Sequence, residues 1–377
     1  MKIILAPDKF KNSLTGLEFC SAVEAGIKTV MPEVSIVKLP LADGGDGTIE
    51  VVNYYLKGKV VSIEVNNPFF QPVMASYLYA EDSKTAFIEM AEASGLKLLK
   101  RKEFDCKNAT TLGTGDMIVD ALNKGAKTII LGIGGSATND CGIGMATALG
   151  YRFLDKNEKE VKPIGANLSK IKSIDVTNVH PNISEVSFKV ACDVTNPLYG
   201  KYGAAEVYAA QKSANTDDIK MLNEGLKSFS KIIDAVFGID AQKTQGAGAA
   251  GGMGIASKVF LKGTLERGIQ LIKDLANFDE QLDHADWIIT GEGKLDTQTM
   301  SGKTIQGVLS SAKAKQIKVA AFCGAIDLEG KDVKDFGIEY ADAVMNYAKN
   351  LNDAMRNSKS YVEKMAKTFA EHLQQST

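Results

Sequence analysis

Short apolar runs alternate with helix-period segments at both ends of this chain, and that alternation limits the folds open to it. Residues 3–5 read as a buried strand. Residues 14–30 set Leu17, Val23 and Ile27 at helical spacing, residues 34–39 read as a second strand and residues 48–56 as a short helix. The pattern returns later, with strands at 287–289, 318–322 and 343–344 and helices at 304–314 and 361–373. Such an order implies parallel strands joined by crossovers. The centre differs. Runs at 60–65, 74–79 and 85–90 are separated by Asn66-Asn67-Pro68 and by residues 80–84, a pattern that predicts antiparallel pairing. Alternation then resumes, with helices at 114–124, 142–149 and 216–237 and strands at 128–131 and 187–191. We therefore expect one α/β domain built from residues 1–64 and 285–377, with a mixed α/β domain inserted at residues 65–284. Two consecutive domains are the alternative.

The 377 residues are enough for two or three domains with full cores. Lys and Arg number 44 against 46 Asp and Glu, a balance that speaks against a nucleic acid or an anionic membrane held by bulk charge. The five cysteines (Cys20, Cys106, Cys141, Cys192, Cys323) are scattered and the histidines are three, so neither a zinc site nor a disulfide scaffold is expected. Reduced thiols fit a cytoplasmic location. The opening MKIILAPDKF has an apolar run too short for a signal peptide, and no stretch reaches the length of a membrane span.

Glycine clusters sit just after strands or before helices, where phosphates bind. After the first strand comes DKFKNSL (8–14), whose Lys9 and Lys11 suit a carboxylate or phosphate; solvent-facing lysines with Ser13 or Thr15 capping a helix read equally well. LADGGDGT (41–48) follows the second strand. Its Asp43 and Asp46 order the loop or hold a cation, or the segment is a turn with an N-cap. GIGGSATNDCGIG (132–144) begins as a dinucleotide fingerprint at Gly132, Gly134 and Ala137, with Asp155 downstream. The polar row Ser136, Thr138, Asn139 and Asp140 suits a polyphosphate and its metal better; a plain tight turn is the third reading. TGEGKLDTQTMSGKT (290–304) imitates the end of a Walker A loop, but Thr297 stands where its first glycine belongs. Glu292 and Asp296 there offer a general base or a water-mediated Mg²⁺ contact, unless they serve an Asp/Thr turn network. In CDVTNPL (192–198), Asp193 ends a strand as a base, a metal ligand or a turn cap. GAGAAGGMG (246–254) reads as a flexible or closely packed loop, or as a helix crossing lined by small residues.

Taken together and in this order, APDKFKNSL (6–14), PLADGGDGT (40–48), ASGL (93–96), GTG (113–115), GGSATND (134–140), CDVTNPLYG (192–200), GAGAAGGMG (246–254) and TGEGKLDTQTMSGK (290–303) resemble the bacterial glycerate kinases of the type I family. Asn12 and Cys141 stand where many members are expected to carry glycine. The resemblance implies ATP- and Mg²⁺-dependent phosphorylation of D-glycerate, at the 2-hydroxyl, giving 2-phosphoglycerate and ADP. It also implies a flavodoxin-like or Rossmann-like domain and a restriction-endonuclease-like one. On that basis ATP phosphates are expected on Gly134, Gly135 and Ser136, with Thr138, Asn139 and Lys303 also on the nucleotide. Asp140 and Asp193 are expected near the metal, and Lys9, Asp193 and Asp296 at the chemistry. Lys11, Asp43, Glu292 and Lys294 are expected on the substrate. Two rival readings are an NAD(P)-dependent dehydrogenase of a small hydroxy acid and a non-catalytic sugar-acid sensor. A small-molecule partner is expected, with no nucleic acid and no membrane; the oligomeric state is open.

Overall fold

The computed structural model describes residues 1–42, 48–296 and 303–375, and the Lys303 side chain lies outside that description. In chain order the strands are β1 (Lys2–Leu5), β2 (Ser35–Lys38), β3 (Lys59–Asn66), β4 (Pro72–Ala80), β5 (Thr85–Glu89), β6 (Thr128–Gly132), β7 (Arg152–Leu154), β8 (Ser173–Asp175), β9 (Ser187–Ala191), β10 (Thr264–Glu266), β11 (Trp287–Thr290), β12 (Lys294–Asp296), β13 (Lys318–Cys323), β14 (Ala325–Asp327) and β15 (Tyr340–Ala343). The chain divides into two compact units, Met1–Tyr55 with Ile269–Thr377, and Leu56–Gly268. These limits differ from those expected from sequence. Residues 56–64 go with the second unit because β3 pairs with β4 along its whole length. Residues 269–284 go with the first, where Lys273 donates to Ser311 Oγ at 2.7 Å.

In the first unit the sheet order is β15-β13-β11-β1-β2, and every pairing is parallel. Counted within the unit, this is 2-1-3-4-5, one of the two common doubly wound orders. Ile3, Ile4, Leu5, Ile288 and Ile289 are fully buried, as expected for central strands covered on both faces. Helix Gly16–Lys28 starts at Thr15, whose hydroxyl takes the Glu18 N–H while the Glu18 carboxylate takes the Thr15 N–H, a complete capping box. Just before it, Asn12 has φ +61, the left-handed region that costs a glycine little and that asparagine tolerates. The same helix packs against helix Ser358–Gln375 so closely that a Cβ on Gly26 would lie 2.2 Å from the Glu363 carbonyl oxygen.

The second unit holds a six-stranded mixed sheet, β10-β9-β6-β5-β4-β3. The β3–β4 and β4–β5 pairs are antiparallel, as the turn sequences predict, whereas β5, β6, β9 and β10 run parallel and so end at one edge. Helix Leu112–Asn123 packs on this sheet, where the buried Tyr77 donates its hydroxyl to Asp120 Oδ2 at 2.6 Å. The glycine block 246–254 is the closely packed alternative. Ala250, Gly251 and Gly252 adopt left-handed backbone within Ala249–Phe260, and a Cβ on Gly251 would meet the Thr138 carbonyl oxygen at 2.3 Å. Its job is to support the loop after β6.

Gly26→Ala should destabilise the protein by about 2 kcal/mol or more, since a backbone atom of the facing helix must move. Urea unfolding measures this, and an unchanged midpoint would contradict the close crossing.

Candidate functional site

The loop after β6 is held on two sides. Asp140 is fully buried, and its Oδ2 accepts from the Thr111 N–H and hydroxyl, both at 2.8 Å, and from Gly144 N–H at 3.3 Å. Its Oδ1 accepts from Gly142 N–H at 3.2 Å. Burial pushes this carboxyl above its usual range, against the pull of the donors of Thr111, Gly144 and Gly142. Asp140, expected from sequence near the metal, thus turns its carboxylate to the donors of Thr111, Gly142 and Gly144. Protein donors take its carboxylate, and it fixes the turn in which Cys141 has φ +50. From the other side the Lys212 ammonium, 3% exposed, donates to Ser136 Oγ and to the Thr138 carbonyl, each at 2.7 Å. Burial lowers the Lys212 pKa to about 8, opposed by nearby Cys106 and Asp140.

Behind the loop, Ala137 N–H donates to Ser94 O, Leu96 N–H donates to Gly135 O, and Ser94 and Thr114 share a hydroxyl bond at 2.8 Å. The ASGL and GTG segments thus buttress the GGSATND loop. What remains open is Gly134 and Gly135, both exposed, the latter at φ +70. Thr138 Oγ1 and both amide atoms of Asn139 are buried with no hydrogen-bond partner among the described residues. Asp193 follows the neighbouring strand β9 at the same sheet edge, half-buried, its Oδ1 accepting from Gly268 N–H at 3.1 Å. Asp155 instead closes its own turn, accepting from the N–H groups of Asn157 and Lys159, which hold it below the usual carboxylate range. The ribose role in the dinucleotide reading has no support there.

In the first unit the loops after β1 and β11 lie side by side, with Asp8 N–H donating to Gly291 O at 2.8 Å. Lys9 and Lys11 come from the first loop, and Glu292, Lys294 and Asp296 from the second. Lys294 and Asp296 are two apart on β12 and so share a face, 3.6 Å between Nζ and Oδ2. Lys294 also donates to Asp327 Oδ2 at 3.1 Å. Asp8 accepts the Lys9 N–H on Oδ1 and the Thr304 hydroxyl on Oδ2, both at 2.7 Å. It ties the start of helix Lys303–Lys315 to the β1 loop. Asp43 lies outside the described residues. Among the described residues no group of three or more His, Cys, Asp or Glu is placed to hold a metal ion. Nor is any helix there long and apolar enough to cross a membrane.

A model of the glycerate kinase family matches residues 3–374. The chain belongs to the glycerate kinase family. Among its relatives, a glycerate kinase of Bacillus cereus is 41% identical over 98% of this chain and 97% of its own length. A glycerate 2-kinase of Escherichia coli K12 is 37% identical over the same shares. A crystal structure from Salmonella typhimurium LT2, assigned to glycerate kinase 2, superposes with a TM-score of 0.90 at 38% identity, covering 100% of this chain and 99% of the other. The protein is a kinase, which sets aside the dehydrogenase and sensor readings.

Sequence reasoning on this kinase missed Lys212, Thr111 and the Asp8–Thr304 tie. Asp8 and Thr304 stood in segments already singled out and needed only a partner. Lys212 sits in an unremarkable AAQKS stretch, and nothing local marks a lysine that tertiary packing will bury.

Lys212 predicts a pH effect with a definite sign. Its native pKa of about 8 lies below the unfolded value, so the unfolded chain binds the extra proton between pH 8 and about 10.5, and native stability rises with pH across that window. The stability of the wild type relative to Lys212→Met should therefore improve by roughly 3 kcal/mol from pH 7.5 to 10.5. Urea titrations at both pH values test this, and a flat difference would show that the ammonium is not desolvated.

Proposed function

We propose that this kinase transfers the γ-phosphoryl group of ATP to the 2-hydroxyl of D-glycerate, giving 2-phosphoglycerate and ADP. The observation that carries the reading is the pinned loop 134–140. Its exposed glycines offer backbone to an anion, and the orphaned polar atoms of Thr138 and Asn139 are groups that a bound molecule would satisfy. Thr138, Asn139 and Lys303 stay assigned to the nucleotide. The position of the hydroxyl follows the name of the Escherichia coli relative.

Phosphoryl transfer asks for alignment and for neutralisation of charge on the moving group, with little covalent help. A loop braced by Asp140 and Lys212 meets the first need, because its amides do not have to reorganise during the reaction. For the second, Lys9 and Lys11 would hold the glycerate carboxylate or the γ-phosphate, with Glu292, Lys294 and Asp43 on the acceptor side. Asp296 is the favoured residue to take the hydroxyl proton, since Lys294 beside it favours the ionised form. Asp193 is the other candidate. Mg²⁺, when bound with ATP, neutralises phosphate charge. Asp140 does not fit it, whereas the half-buried Asp193 offers a hard oxygen suited to a water-mediated contact.

Incubation with ATP, Mg²⁺ and a panel of short hydroxy acids, followed by phosphorus NMR, should give 2-phosphoglycerate; a product carrying phosphate at carbon 3 would overturn the regiochemistry. Asp296→Asn should lower kcat at least roughly a hundredfold, the usual scale of general-base loss, while ATP affinity stays near the wild-type value. Near-normal turnover in that variant would move the role to Asp193.

A further inference from the structure

The first unit contains a cavity of about 280 Å³ of which the roles above use only the rim lysines, Lys11 and Lys294. It opens where the loops after β1, β11, β13 and β15 converge, contributing Lys11, Lys294, Gly324 and Met345. In a parallel sheet of order 2-1-3-4-5, ligands gather outside the carboxyl ends of the strands, at the switch between the first and third strands. Here those are β1 and β11.

Its walls are apolar. Met345, Leu351 and Met355 line it while standing 39%, 65% and 37% exposed, so two elements present unburied apolar side chains to the same space. Large exposed apolar side chains gathered at a concavity mark a binding surface. Methionines adapt their shape to flat rings and make favourable sulfur–aromatic contacts. The rim is polar. Lys294 shares its charge with Asp327 and Asp296, and Lys11 is exposed at the mouth.

A three-carbon hydroxy acid suits this space poorly. It would fill a fraction of the volume, and its carboxylate and hydroxyls would lose water against walls that return few hydrogen bonds. A molecule with a flat apolar body and a polyanionic end matches both halves of the site. We propose that this cavity receives the adenine and ribose of ATP, between Leu351 and Met355 on one side and the Phe10–Lys11 loop on the other, with Lys11 toward the phosphates. The proposal rests on the kinase reading.

Two measurements test it on the full-length protein. Photolabelling with 8-azido-ATP followed by peptide mass spectrometry should mark residues 344–358, and excess ATP should suppress the label. In steady-state kinetics, Leu351→Asp should raise KM for ATP roughly fivefold to tenfold, the scale of one lost apolar contact, with KM for glycerate unchanged. Leu351 is mostly exposed, so this variant should fold; Met355→Ala is the second variant and should shift the same constant in the same direction. Label confined to other peptides, or a rise in KM for glycerate alone, overturns the cavity assignment while the kinase reading stands. ATP-suppressible label at 344–358 in a protein that leaves glycerate unphosphorylated sinks the acceptor assignment and keeps the cavity.

Discussion

The hydrogen bonds that lay β1 against β11 join parts of the chain 284 residues apart, as the Lys2 N–H to Asp286 contact at the end of the pair shows. Everything in the first unit follows from that pairing. It makes a sheet of order 2-1-3-4-5 from two terminal segments, and it puts the Lys9–Lys11 loop beside the Glu292–Asp296 loop. Closing so long a loop has an entropic cost that grows only logarithmically with length. The pairing is sustained by burial: Ile3, Leu5, Ile289 and Phe322 lose all solvent contact in one core with Phe369 of the last helix.

The second unit solves a different problem, how to hold a polar loop still at a sheet edge. Its means is a pair of buried charges. Lys212 and Asp140 each lose hydration, which is unfavourable by several kcal/mol for an ion in apolar surroundings. Each recovers part of this through hydrogen bonds: Lys212 gives two to the loop, and Asp140 accepts two from Thr111 and one each from Gly142 and Gly144. Buried ions of this kind add little net stability, and the arrangement braces residues 136–144 from two sides through these hydrogen bonds. Gly251 and Gly252 complete it by letting one backbone rest directly on another. Such rigidity would serve the phosphate role proposed for this loop, because dipoles already oriented do not have to be turned during a reaction.

Much of this was legible beforehand. The clusters that begin at Asp8, Gly134, Cys192 and Gly291 do follow strands, at the carboxyl ends of parallel ones. The antiparallel centre was readable because Asn66-Asn67-Pro68 is a turn sequence with a mechanism, and Asn67 Oδ1 indeed accepts from the N–H groups of Phe69 and Gln71. Asn12 and Cys141, which the resemblance leads one to expect at glycine positions, both have left-handed backbone, where conformation matters. The burial of Asp140 was not legible, because an aspartate in a glycine-rich loop looks the same in sequence whether it faces solvent or the core. Only the positions of Thr111 and Gly144 decide which.

From the amino-acid order alone came the strand–helix alternation, the phosphate-ready loops and the family, since these depend on short-range periodicity, turn chemistry and motif spacing. Tertiary structure decided the rest: that Lys212 is buried, that Asp140 lies among the donors of Thr111, Gly142 and Gly144, and that Met345, Leu351 and Met355 wall one cavity. Those outcomes depend on which distant segments come to lie together. A side chain's burial and partners are properties of that packing, and no local pattern encodes them.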